Sequence, residues 1–95
     1  MKIIDMKNEF IAADHVVRVS GFYEVAADWG HVNQAFAVFT SDGFRFDFVF
    51  DSEAHAKDCL RKLKSFLRNT NSMEDLFSIE EQSGYVKRKT RLLRY

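Results

Sequence analysis

The apolar positions of the chain change period along its length, and each change marks an element. Between Phe44 and Phe50 every second residue is Phe, the alternation of a strand with one buried face. A β-favouring run from Ala35 to Ser41 precedes it, and the intervening Asp42-Gly43 suits a two-residue type I′ hairpin turn. Such a turn sets Ser41 opposite Phe44, Phe39 opposite Phe46, Ala37 opposite Phe48 and Ala35 opposite Phe50. Phe39 then joins the Phe row toward a core, while Phe36, Val38 and Thr40 share the second face with Arg45, Asp47 and Val49.

After Asp51 the period lengthens. Ala56, Cys59, Leu60, Leu63, Phe66 and Leu67 recur at spacings of three and four, the stripe of an amphipathic helix that Asp51 or Ser52 can cap and Glu53 supports in its first turn. That stripe is the natural cover for the Phe row. Upstream, His15 to Val25 is a second β-favouring run, with Gly21 marking a bulge or close approach. Ile3-Ile4 and Phe10-Ile11 around the polar Lys7-Asn8-Glu9 read as a small hairpin. Downstream, Ser72 with Asp75 opens a shorter helix through Gln82, which Ser83-Gly84 ends. Residues 83–95 form a basic segment that reads as an edge strand, a helix or a tail ordered by a partner. The expected fold is one α+β domain over residues 1–82: an antiparallel sheet of about four or five strands packed on one long helix, with a short C-terminal helix.

Composition agrees with a folded domain: 95 residues, 46% hydrophobic, ten Phe and no Pro. The lone Cys59 excludes an intrachain disulfide and, with no apolar leader before residue 8, suggests a reducing, cytoplasmic setting. No apolar run approaches the roughly 20 residues of a membrane span, so no membrane role is expected. Fourteen basic and fourteen acidic side chains cancel, which removes the simplest argument for a nucleic-acid binder. The cancellation hides an asymmetry, since residues 1–50 hold four Lys/Arg against seven Asp/Glu and residues 51–95 hold ten against seven. A stretch Phe10-Ile11-Ala12-Ala13-Asp14-His15-Val16-Val17 before a hairpin and helix resembles small bacterial or mobile-element proteins, and that resemblance implies no function.

Two surfaces are candidates for function. A protein or second-copy contact is expected at Trp29 and His31, in a polar loop around Gly30, and at Phe36, Val38 and Val49 on the hairpin's second face, where apolar side chains exceed what one helix covers. This favours a non-enzymatic interaction or regulatory module, a homodimer by preference. The alternative is nucleic-acid binding through the helix stripe Lys57, Arg61, Lys64 and Arg68 and the cluster Lys87, Arg88, Lys89, Arg91 and Arg94, flanked by Tyr85 and Tyr95 for stacking. Against both stand ordinary solvated surfaces: Glu53 to Lys57 and Asp58 to Lys62 are the pairs of an exposed helix face, and Lys and Arg guard sheet edges. Catalysis is not expected, because Asp14 and His15 would point to opposite faces of a strand and no nucleophile motif or carboxylate pair is present. His55 and Cys59 are four apart but lack further thiol ligands, so no metal or cofactor is expected.

Overall fold

The computed structural model describes residues 2–26, 32–68 and 75–92. Among these residues eight strands and one α-helix run in the order β1 (Ile3–Asp5), β2 (Phe10–Ala12), β3 (Val16–Val19), β4 (Tyr23–Ala26), β5 (Val32–Thr40), β6 (Phe44–Phe50), α1 (Glu53–Arg68), β7 (Leu76–Ser78) and β8 (Gly84–Arg91). The main sheet has five antiparallel strands in the order β3-β5-β6-β8, with β4 also pairing β5 beyond the end of β3. The result is the α+β arrangement expected, a five-stranded antiparallel sheet packed against one helix.

The hairpin register differs by one residue from expectation. Val38 pairs with Phe46, Phe36 with Phe48 and Gln34 with Phe50, while Phe39 pairs with Arg45 and Ala37 with Asp47. Ser41, Asp42 and Gly43 together form the loop: Gly43 donates its N–H to the Thr40 carbonyl at 3.1 Å and adopts φ 90°, the left-handed conformation that closes a three-residue hairpin. Burial decides between the registers. A two-residue turn would leave Phe36 and Val38 outward and send Ala35 and Ala37 inward, whereas the observed pairing buries Phe36 and Val38 completely beside Phe46, Phe48 and Phe50. Phe36 lies edge-on to Phe48 and stacks on Phe50, both at 5.6 Å between ring centroids.

Helix α1 closes this inner face as the stripe predicts, burying Ala56, Cys59, Leu60, Leu63 and Phe66. Ser52 is its cap, its Oγ accepting the His55 N–H at 3.1 Å, and the Asp51 carboxylate bonds His55 Nδ1 at 3.0 Å. The anticipated strand from His15 to Val25 is divided. A bulge between Val16 and Arg18 interrupts β3, and the chain leaves the ladder between Val19 and Tyr23, so Val16 and Val19 turn inward while Arg18 and Tyr23 pair on the outer side.

Two further departures concern the C-terminal third. Of the segment expected to be helical from Ser72 through Gln82, the first three residues lie outside the described ones; among the rest Glu80–Gln82 is a 3-10 turn and Leu76–Ser78 is a strand. β7 pairs parallel to β1, opposite β2, completing a second sheet whose Ile4, Ile11 and Phe77 enter the same core as Phe66. A three-residue strand buried by one Phe carries too little alternation to outweigh the capping signal in sequence. Of the three conformations open for residues 83–95, 84–91 take the edge strand, pairing along the whole of β6 with a bulge at Lys87.

Candidate functional site

The corrected register defines what the outer face of the main sheet presents. Three rows of side chains cross it. The first is Tyr23, Ala35, Val49 and Tyr85, from β4, β5, β6 and β8. The second is Ala37, Asp47 and Arg88, and the third is Arg18, Phe39, Arg45 and Thr90. Small residues lie in the middle and large aromatic or cationic ones surround them. Among the described residues no helix or strand packs over this face, since α1 and the small sheet both lie on the inner side.

The long side chains lean on one another. Arg18 places its guanidinium carbon 5.1 Å from the Phe39 ring centroid; Arg45 is 5.4 Å from Phe39 and 5.6 Å from Tyr23. Arg45 also donates from Nε to Asp47 Oδ1 at 3.1 Å, its Nη2 lies in ion-pair contact with that oxygen at 3.0 Å, and the Tyr23 hydroxyl donates to the same oxygen. Burial, followed by the hydrogen bond to Asp47, raises the Tyr23 phenol above its usual range, so it remains a donor at neutral pH. Ala37, without side-chain bulk beside Asp47, gives the Tyr23 ring room to reach it from the neighbouring row. Tyr85 is 52% exposed. Arg88 is exposed, with no ion pair among the described residues.

The residues singled out in sequence fall in different places. Phe36 and Val38 are core residues, the direct consequence of the register, and offer nothing to a partner; Val49 is fully buried in the floor of the outer face. Trp29, His31 and Arg94 lie outside the described residues. Lys57 and Arg61 on α1 are held by Glu53 and Asp58, while Lys64 and Arg68 are exposed and make no ion pair among the described residues. The β8 cluster is split by strand alternation: Arg88 belongs to the outer face, whereas Lys89 and Arg91 pair with Phe46 and Phe44 on the inner side. Lys89 covers those rings, 4.5 Å above Phe44, and binds Glu9 at 3.0 Å. Arg18, Tyr23, Phe39, Arg45 and Asp47 are not among the contact residues the sequence singles out, and Phe39, expected in the core row, lies on the outer face. Each stands alone in its stretch of sequence, and only the correct pairing brings them together.

A second concavity of about 230 Å³ opens at the turn end of the inner face, lined by Glu9, Phe10, His15, Thr40, Asp42 and Lys89 among others. It is smaller than most ligand sites, and its polar groups are engaged with one another: Thr40 gives its hydroxyl to Asp42, and Glu9 binds Lys89. Among the described residues no group of three or more His, Cys, Asp or Glu could hold a metal ion, and no helix is long and apolar enough to cross a membrane. No protein-family model, curated protein or solved structure matches the chain.

Proposed function

We propose that the chain is a non-enzymatic binding module whose outer sheet face takes single-stranded nucleic acid. The observation that carries this reading is a face that no helix or strand among the described residues covers, where Arg18, Arg45 and Arg88 accompany Tyr23, Phe39 and Tyr85. Phosphates are neutralised by mobile cations, and unpaired bases stack on aromatic rings or on guanidinium planes. Arg18 and Arg45, both over the Phe39 ring, supply guanidinium groups at one side of the face, and the open ring of Tyr85 supplies an aromatic surface at the opposite edge. The face is a sheet surface, suited to an extended strand with splayed bases and not to the groove of a duplex.

The self-association expected from an apolar second face loses its motive, because Phe36 and Val38 are in the core and the outer face carries charge in their place. The helix stripe is on the opposite layer, with two of its four cations neutralised by neighbouring carboxylates.

Anisotropy of labelled single-stranded RNA, single-stranded DNA and duplex, titrated with the full chain, tests the proposal. Both single strands are expected to bind at low salt and the duplex weakly, with a salt slope of about −1.4 for the two phosphates that Arg18 and Arg88 would neutralise, Arg45 being already paired with Asp47. Tyr85→Ala and Arg88→Ala should each weaken binding, by about fivefold or more for the lost stacking ring, while Lys64→Ala leaves it unchanged. A difference between RNA and DNA would assign the natural strand. No binding at low salt overturns the proposal, and a dimer in sedimentation together with silent oligonucleotides would give the face to a second copy.

A further inference from the structure

A carboxylate at the centre of a phosphate-binding face opposes the ligand's own charge, and Asp47 is such a group. Part of its role is evident: Oδ1 accepts from Tyr23 and from Arg45 Nε and pairs with the guanidinium, fixing both side chains over the sheet. One oxygen suffices for both donors. Oδ2 accepts no hydrogen bond among the described residues, and since no buried side-chain oxygen there lacks a partner, Oδ2 is open to solvent. The Asp47 side chain is only 12% exposed, so this oxygen is a narrow polar window in an otherwise closed middle row.

Resting on the nucleic-acid reading above, we infer that Asp47 Oδ2 reads the base, favouring those with an exocyclic amino group, such as cytosine and adenine, over uracil and thymine. A carboxylate oxygen accepts and never donates. The cytosine N4 amine is the usual partner of Asp in base recognition, and adenine offers its N6 amine in the same way. Uracil and thymine present one edge N–H, flanked on both sides by carbonyl oxygens that a carboxylate repels. Arg88, paired across from Asp47 in the same row, places a donor beside this acceptor and suits the ring nitrogen adjacent to either amine. The two donors on Oδ1 also keep the carboxylate from rotating, so Oδ2 holds one direction.

The chemistry makes the substitution Asp47→Asn informative. Tyr23 and Arg45 both donate, so the amide oxygen must take the Oδ1 position, which puts the amide NH₂ where Oδ2 stood. An acceptor becomes a donor with the packing unchanged.

The experiment is competition binding of short oligo(C), oligo(A) and oligo(U), and of oligo(dC) against oligo(dT), to the full chain near pH 7.5. The unsubstituted chain should prefer C and A over U by about tenfold, the discrimination of one good base contact. Asp47→Asn should bring the ratio of C to U to unity or below, with oligo(U) bound at least as well as before. Equal binding of all homopolymers by the unsubstituted chain overturns the inference and leaves the stacking face intact. A preference that survives in a folded Asp47→Asn protein overturns it too. Failure to bind any homopolymer overturns the function itself, and this inference with it.

Discussion

Gly84 is glycine because Phe50 lies against it. A Cβ at position 84 would fall 2.4 Å from Cε2 of the Phe50 ring, and that ring is fully buried and stacked on Phe36, with nowhere to retreat. Gly84→Ala is therefore an overpacking change, expected to cost about 1–3 kcal/mol, and thermal unfolding should fall by roughly 4–8 °C for each kcal/mol in a domain of this size. Cys59 is a second residue whose surroundings dictate its chemistry. Burial in the helix–sheet interface pushes its thiol up from 9.0 to about 12. The folded chain should resist an aromatic disulfide reagent at pH 8 and react promptly once unfolded. The sign for stability follows from the same shift. The native thiol stays neutral while the unfolded one ionises near 9, so the contribution is whole below pH 9 and is lost as pH rises from 9 toward 12, which urea midpoints across that range should register.

Among the elements, those with long uninterrupted periodicity were legible in sequence. The stripe from Ala56 to Leu67 formed the helix it implied, and the Phe alternation formed β6. The turn between Thr40 and Phe44 was harder to read because two signals compete there. Asp-Gly favours a two-residue loop, but burying Phe36 and Val38 requires the register that a three-residue loop provides, and the larger burial term prevails. β7 was hidden for another reason: its partner is β1, at the far end of the chain, and no local pattern announces a parallel pairing of three residues. The basic segment after Ser83 is a third case, in which composition admits an edge strand, a helix or a tail and pairing decides for the strand. β8 aligns with all of β6 from Phe44 to Phe50. A chain ending at Ser83 loses that strand and exposes the edge of a Phe-rich one, so it should be aggregated or lack the native circular-dichroism spectrum, where an appended tail could be removed without effect.

At the scale of the whole molecule, the candidate site is a property of pairing and of no single segment. Arg18 and Tyr23 come from β3 and β4, Phe39, Arg45 and Asp47 from the hairpin, and Tyr85 and Arg88 from β8. Clusters that are visible in sequence are dispersed by the same pairing: strand alternation sends Lys89 to cover Phe44 and Arg88 to the opposite face. The neutral overall charge is thus compatible with one locally basic surface. The small sheet carries its own implication. β1 lies between β2, its immediate neighbour in sequence, and β7, which follows α1, so Ile3 meets Leu76 and Asp5 meets Ser78. Half of that sheet can form as a local hairpin, but the other half must wait until nearly all of the intervening chain is organised. Closing so long a loop draws its entropy cost before any contact returns it, and β6 with β8 repeats the demand. The chain should accordingly fold on the slow side for its length, in milliseconds to seconds, with the β1–β2 hairpin early and β7 and β8 docking last.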